Sequence, residues 1–392
     1  MGGTEMNEWK KVKLGELYEV HNGLSKGRQF FGSGYPFLTF STVFNNWFLP
    51  ETLDSLVQSS DKEREACSIK RGDVFITRTS ETMDELGMSS VALKDYPNAT
   101  YNGFTKRLRP TTDDVIPEYI GYYLRSKKFR GKFMAFSSMT TRASLANDDL
   151  LSMEAEIPEK STQQHIATIL SRYDSLIENY QKQIKLLEEA AQRLYKEWFV
   201  DLRFPGHENT KIVDGMPEGW EKRKIGNLIE KVKRSKQVPS SEYDNTGKIP
   251  IIDQSRNYIA GYTDDFDCRI ELDVPAIIFG DHTRILKYIT FPFAKGADGT
   301  QLVVSNDLGR MPQSLFYHSL LNVDLSNYSY ARHFKYLKEE EILLPSERLA
   351  RHFDVIISVQ YKAIQSYRDQ IRLLTEARDR LLPKLMSGEI AV

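Results

Sequence analysis

Residues 158–198 read PEKSTQQHIATILSRYDSLIENYQKQIKLLEEAAQRLYKEW, and their apolar positions keep one alternation throughout. Ile166, Leu170, Tyr173, Ile177, Tyr180, Ile184, Leu187, Ala191, Leu194 and Trp198 follow each other by four and three residues in turn, which is a heptad seam. About 40 residues of helix span roughly 60 Å at ~1.5 Å per residue. A helix that long with a single apolar stripe needs a partner along its length.

A partner is present in the chain. After Pro345, the positions Phe353, Ile357, Gln360, Ile364, Tyr367, Ile371, Leu374, Arg378, Leu381 and Leu385 run on the same frame, polar only at Gln360 and Arg378. The shift that carries Pro158 onto Pro345 also carries His165 onto His352, Tyr180 onto Tyr367, Gln183 onto Gln370 and Arg193 onto Arg380. A parallel pair would stretch the segment from Phe199 to Trp220 nearly straight, at ~3.3 Å per residue, so an antiparallel pair is expected. A hairpin in an ordinary helical domain, or a homodimer seam, would use the same stripe. Each helix should begin just after its proline. The second should end or kink at Leu382, because Pro383 has no N–H and Ser387-Gly388 follows.

The duplication reaches beyond the helices. Trp9-Lys-Lys-Val-Lys-Leu-Gly-Glu-Leu17 and Trp220-Glu-Lys-Arg-Lys-Ile-Gly-Asn-Leu228 share one pattern, read as a short strand turning into a helix start. The expected organisation is therefore a first domain at 1–157, a spacer helix at 158–204, a linker and second domain at 205–344, and a second spacer helix with its tail at 345–392. In the first domain Gly72-Asp-Val-Phe-Ile-Thr-Arg-Thr79 reads as a turn into a buried strand, and 104–108 as a strand ending at Pro110. A short helix is expected at 117–129, then a polar loop at 137–144. In the second, 274–280 reads as a strand, 294–301 as a Gly-rich loop, 312–321 as a helix and 329–335 as a polar loop. Short strands mixed with short helices give an α+β class.

The chain of 392 residues is long enough for more than one core. Cys67 and Cys268 are its only cysteines, too few for a disulfide framework or a zinc site. No run of some 18 apolar residues and no apolar leader occur, so a cytoplasmic protein without a membrane partner is expected. There is no Gly-rich phosphate loop and no Pro-Pro dipeptide of the kind an adenine methyltransferase motif contains. The sequence therefore gives no catalytic residue, no metal ligand and no cofactor site.

A net charge of −1 does not announce a nucleic-acid binder, so any DNA contact must rest on local clusters. Lys10, Lys11 and Lys13 correspond to Lys222, Arg223 and Lys224, and Lys233 with Arg234 extends the second cluster. Thr77, Arg78, Thr79 and Ser80 follow the buried strand, and Thr141 and Arg142 sit in the later polar loop. In the second copy His282 and Arg284, Gln301, and Arg332, His333 and Lys335 hold similar places. Arg and Gln read base edges by paired hydrogen bonds, while Lys and Thr grip phosphates. A solvated face would carry the same residue types.

Taken twice over and in order, these pieces resemble the specificity subunit of Type I restriction-modification systems. The resemblance covers essentially the whole chain. It rests on Trp9 to Leu17 and its repeat, on Gly72-Asp-Val-Phe-Ile-Thr-Arg78, on Ile157-Pro158 and Leu344-Pro345, and on the ending Arg380-Leu-Leu-Pro-Lys-Leu-Met-Ser-Gly-Glu-Ile390. The strand Ile277-Ile-Phe-Gly280 departs from its counterpart.

The resemblance implies two target-recognition domains held apart by a long antiparallel two-helix coiled coil, in an internal pseudo-two-fold repeat. It implies double-stranded DNA as ligand, each domain reading half of a split, asymmetric target. Two modification (methyltransferase) subunits would be partners, with restriction/translocase subunits in the full complex. S-adenosylmethionine, ATP and Mg would then belong to those partners and not to this chain. A coiled-coil protein with two protein-binding modules is the rival reading, and it would not retain DNA sequence-specifically.

Overall fold

The computed structural model describes residues 9–80, 86–136, 138–139, 143–233, 235–296, 299–328 and 332–392; at 79–80, 134–136, 138–139 and 143–144 only the backbone is described. The chain divides into two units, one comprising 1–178 and 372–392, the other 179–371. One end of each long helix belongs to each unit.

In the first unit a four-stranded antiparallel sheet runs in the order Tyr18–Asn22, Thr105–Pro110, Val74–Thr77, Ser89–Val91. Val74–Thr77 is buried on both faces, as its unbroken apolar run requires. Phe31–Leu38 pairs with Leu56–Val57 and, in parallel, with Thr100–Tyr101. The expected single helix at 117–129 is two, Pro117–Arg125 and Lys127–Phe136. The first stops because Ser126 takes an extended backbone and turns its hydroxyl onto the Tyr123 carbonyl. The polar loop at 137–144 contains two short strands, Ser138–Met139 and Ala143–Ser144, and Ala143–Ser144 pairs with Thr79–Ser80.

In the second unit Ala276–Gly280 lies between Leu286–Ile289 and Thr300–Val303. A further sheet orders Gly261–Thr263, Ile249–Ile252, Phe293–Lys295 and Arg269–Ile270. The stretch expected as a Gly-rich loop thus begins and ends in strand, because Phe293 and Ala294 are buried beside Ile249–Ile252. The polar loop expected through Lys335 gives way at His333 to the helix His333–Glu339.

Both units are closed in the same way. Lys10–Lys13 pairs antiparallel with Glu154–Ile157, and Glu221–Lys224 pairs with Glu341–Leu344. Each closing strand leads through proline into a long helix, Lys160–Tyr195 in one case and Glu347–Ser387 in the other. The joint is tied differently in the two. Buried Gln163 donates to the carbonyls of Pro158 and Asp114 (both 2.9 Å) and accepts from the Ile116 N–H (3.0 Å). In the second unit Arg310 donates to the Pro345 and Leu344 carbonyls (2.9 and 3.1 Å) and pairs with Glu221 at 2.6 Å.

The seam residues are buried or half-buried in both helices, whereas Leu176, Leu186, Val355, Val359 and Leu373, all off the seam, are exposed. The pairing is antiparallel within each unit. In the first, Ile166, Ala167 and Leu170 pack in one core with Leu382, Leu385 and Met386. In the second, Ala191, Tyr195 and Trp198 pack with Phe353, Ile357 and Tyr361, and Tyr180 stacks on Tyr367 at 5.1 Å. The second helix runs through Pro383 to Ser387, so of the end or kink expected at Leu382 the end does not occur. Burying Leu382, Leu385 and Met386 is worth ~1.5–3 kcal/mol each, which outweighs the ~3 kcal/mol cost of an internal proline. The helix ends five residues later at Gly388, whose φ of +74° suits glycine.

Candidate nucleic-acid interface

The central strands of the two units end at the same backbone junction. In the first unit the Arg78 N–H donates to the Phe104 carbonyl (3.1 Å), and the Arg78 carbonyl accepts from the Leu145 N–H (3.1 Å). In the second unit the Asp281 N–H donates to the Gly299 carbonyl (2.7 Å), and the Asp281 carbonyl accepts from the His333 N–H (2.9 Å). The two strands therefore correspond although their sequences do not. In each unit the junction gathers the turn after the central strand, the turn before a neighbouring strand (Thr105–Pro110 or Thr300–Val303), and the segment that follows the later polar loop.

Several sequence candidates converge there. Arg78 is half-buried and has no carboxylate partner among the described residues. Around Asp281 the structure collects His282, Arg284, Arg332 and Lys335, all exposed, with half-buried Gln301 paired opposite Phe279. Arg284 sits at φ +61°, a left-handed conformation uncommon for a side-chain-bearing residue; its N–H reaches the Gly280 carbonyl at 2.8 Å and its guanidinium the Leu325 carbonyl at 3.2 Å.

Two candidates are corrected from contact to support. Thr77 is fully buried and its hydroxyl accepts the Met88 N–H at 2.9 Å, so it holds the turn and presents nothing to a ligand. His333 is buried, with Nδ1 2.9 Å from the Asp281 carbonyl and Nε2 2.8 Å from the Tyr328 carbonyl. Together with the Asp281 carboxylate, which accepts the Phe334 N–H at 2.8 Å, it fastens two loops to each other. Thr141, Arg142 and Arg234 lie outside the described residues, and of Thr79 and Ser80 only the backbone pairing is described.

The basic strands lie on a different sheet from these junctions. Lys11 faces Glu156 and Lys13 faces Glu154 across the closing pair, and Lys224 faces Glu341. Lys224 also pairs with Glu339 at 2.8 Å, a hydrogen bond that raises the lysine above its ordinary range. Arg223 contacts Glu221 at 3.2 Å. Lys10 and Lys222 are exposed on the same strands, and Lys233 is exposed farther along. Carboxylates opposite these cations reduce the field they offer a phosphate.

Sequence reading missed residues at both junctions. Gln254 accepts the His282 N–H on its side chain (3.1 Å) and the Thr283 hydroxyl on its carbonyl (2.8 Å). In the first unit a cleft of about 610 Å³ opens beside Arg78, with Lys26, Phe31, Asn102 and Phe104 among its lining. Lys106 lies near it, its ammonium pushed below the ordinary lysine range by burial and then by the positive charge of Arg78. The Asn102-Gly103 dipeptide was a legible turn signal, but nothing in the sequence said that the Phe after it would face solvent.

Residues 6–189 match the family model described as the Type I restriction modification DNA specificity domain. Over its full length the chain is 26% identical to the type I restriction enzyme MjaIX specificity subunit of Methanocaldococcus jannaschii, covering 95% of that protein. The chain is thus similar along its whole length to a specificity subunit of a type I restriction enzyme, and its first half matches the specificity domain. The HindI specificity subunit of Haemophilus influenzae is 28% identical over 54% of this chain and 45% of its own. The fold is that of the crystal structure of the type I S subunit from M. genitalium, with a TM-score of 0.61, 98% of both chains covered and 16% identity. Among the described residues no helix of the chain is long and apolar enough to cross a membrane, and no group of three or more His, Cys, Asp or Glu could hold a metal ion.

Proposed function

We propose that regions 1–157 and 205–344 each read one half of a bipartite, asymmetric double-stranded DNA target. The two long helices form an antiparallel coiled coil that sets the gap between the halves and docks two modification subunits. S-adenosylmethionine, ATP and Mg act on partner subunits, and restriction/translocase subunits join in the full complex. The observation that carries this reading is the shared junction: one backbone frame is used at Arg78 and at Asp281, with opposite charge. A repeated frame with unlike side chains suits two similar halves of a duplex that differ in sequence.

One such module discriminates a few base pairs at ~1–3 kcal/mol per wrong pair, so two add usefully only if their spacing and phase on the duplex are fixed. A stiff helical pair fixes both, as a flexible linker would not.

Mapping methylated adenines after co-expression with modification subunits tests the reading. Inserting one heptad into both helices lengthens the spacer by about 10 Å at ~1.5 Å per residue, or about three base pairs, and should widen the gap while leaving both half-targets unchanged. An unchanged gap after a well-folded two-helix insertion sinks the spacer function.

A further inference from the structure

We propose that Phe104 stacks on a base of the half-target read by the first unit, with Arg78 beside it to hydrogen-bond a base edge. The proposal rests on the DNA-reading function above and assigns one contact within it.

A lone exposed Phe usually means nothing. Phe104 differs in how it is held and in what surrounds it. It is 61% exposed at the tip of a turn that is fastened on every side. Its own N–H donates to the Asn102 side-chain oxygen at 2.7 Å, and the Gly103 N–H donates to the Leu24 carbonyl at 2.9 Å. The Thr105 N–H and hydroxyl both donate to the Asn102 carbonyl (3.1 and 2.9 Å), and the Phe104 carbonyl is the acceptor for Arg78. None of these bonds needs an aromatic side chain. The backbone that carries the ring is fixed before any ligand arrives.

It projects beside the cleft already described, where Phe31 is the second exposed aromatic at 41%. Arg78 carries a positive charge with no carboxylate partner among the described residues, whereas Lys106 behind it is buried, bonded to Asn147 and balanced by Asp148 and Asp149. Lys26 is neutralised by Glu63 at 2.8 Å, and Asp54 brings one carboxylate to the rim. A flat π-face, an adjacent guanidinium and a single acceptor fit a nucleobase. The ring supplies sequence-tolerant stacking, and Arg supplies paired donors to an edge.

The second unit supplies the contrast. At the position equivalent to Phe104 stands Gly299, with φ +78°, and a Cβ there would lie 2.6 Å from Gln254 Nε2 and 2.8 Å from the His282 ring. No wedge can occupy that junction without moving those two side chains. The stacking contact is therefore confined to one half of the target.

The test uses the subunit assembled with its modification subunits and duplexes carrying the mapped target, with 2-aminopurine placed in turn along each half. Phe104→Ala should weaken selective binding roughly 10- to 100-fold, and Phe104→Trp should largely retain it. With the wild-type complex, 2-aminopurine fluorescence should change on binding at one position of the first half, and Phe104→Ala should abolish that change. The thermal midpoint should stay unchanged, since the ring supports no core. Undiminished selective binding by a folded Phe104→Ala complex, with the fluorescence change intact, overturns the stacking contact and leaves the DNA-reading function standing. A wild-type complex that shows no sequence selectivity overturns both.

Discussion

Arg78 and Asp281 occupy one backbone position in two different units: each donates its N–H to the turn before a strand that neighbours the central one and accepts an N–H from the segment after the later polar loop. The frame is common and the side chains are opposed in charge. Arg78→Ala should leave stability within about 0.5 kcal/mol and cost ~1–3 kcal/mol of binding, confined to the first half-target. Asp281→Ala removes the acceptor of the Phe334 N–H, and should cost about 1–2 kcal/mol of stability as well as blunting discrimination in the second half. Methylation mapping and denaturant melts of both variants check this; loss of discrimination in both halves from either change would refute separate reading.

Arg378 interrupts the apolar seam, and the first unit shows why it is tolerated. Its guanidinium bonds Asp174 at 2.6 Å, Asp174 accepts from the Tyr122 hydroxyl at 2.5 Å, and the cation lies 5.2 Å from the Trp47 ring. Arg378→Met keeps the stem but strands the carboxylate, and should destabilise by about 2 kcal/mol. Pairing it with Asp174→Leu should recover part of that loss. A double-mutant cycle with no coupling would show that the contact is incidental.

His318 should make the second unit acid-sensitive. Burial among Tyr195, Tyr317, Phe353 and Tyr361 holds its imidazole at about 4, and Nδ1 has no hydrogen-bond partner among the described residues. Burial also raises those three tyrosines, so they remain neutral across this range. Because the folded pKa lies below the unfolded value near 6.5, the unfolded chain takes the proton first. The stabilisation is complete above about pH 6.5 and is lost as pH falls toward about 4, to a limit of roughly 3 kcal/mol. His318→Phe should flatten the pH dependence between 4 and 6.5, read by urea melts at pH 5 and 7. An identical acid loss in the variant would place its origin elsewhere.

The helical frame was legible because heptad spacing is a property of the sequence itself, and both lapses in it resolve into the second helix as observed. Pro383 does not end the helix, because Leu382, Leu385 and Met386 have a core to reach, which a local rule cannot see. Basic residues marked on the opening strands face carboxylates of the closing strands, a pairing visible only once the register is known. Thr77 and His333 carry the residue types of DNA contacts, but burial turns their polar atoms inward. Phe104 and Gln254 were illegible for the converse reason, since exposure and loop convergence are decided by chain segments far away in sequence.

The two joints beneath the long helices should fail independently. Gln163 satisfies three backbone groups in the first unit, and Arg310 binds the Pro345 and Leu344 carbonyls and Glu221 in the second. Gln163→Ala leaves the Ile116 N–H and two carbonyls without that partner, at a cost of about 2–3 kcal/mol. Arg310→Ala should cost a similar amount through its carbonyls and Glu221. Because each joint lies within one unit, amide exchange should rise in the first unit alone for Gln163→Ala and in the second alone for Arg310→Ala. Combining them should give a stability loss close to the sum, since sites with no shared partner add. Exchange spreading through both units from either single change would mean that the joints act as one, and the independence inferred from their unlike chemistry would be wrong.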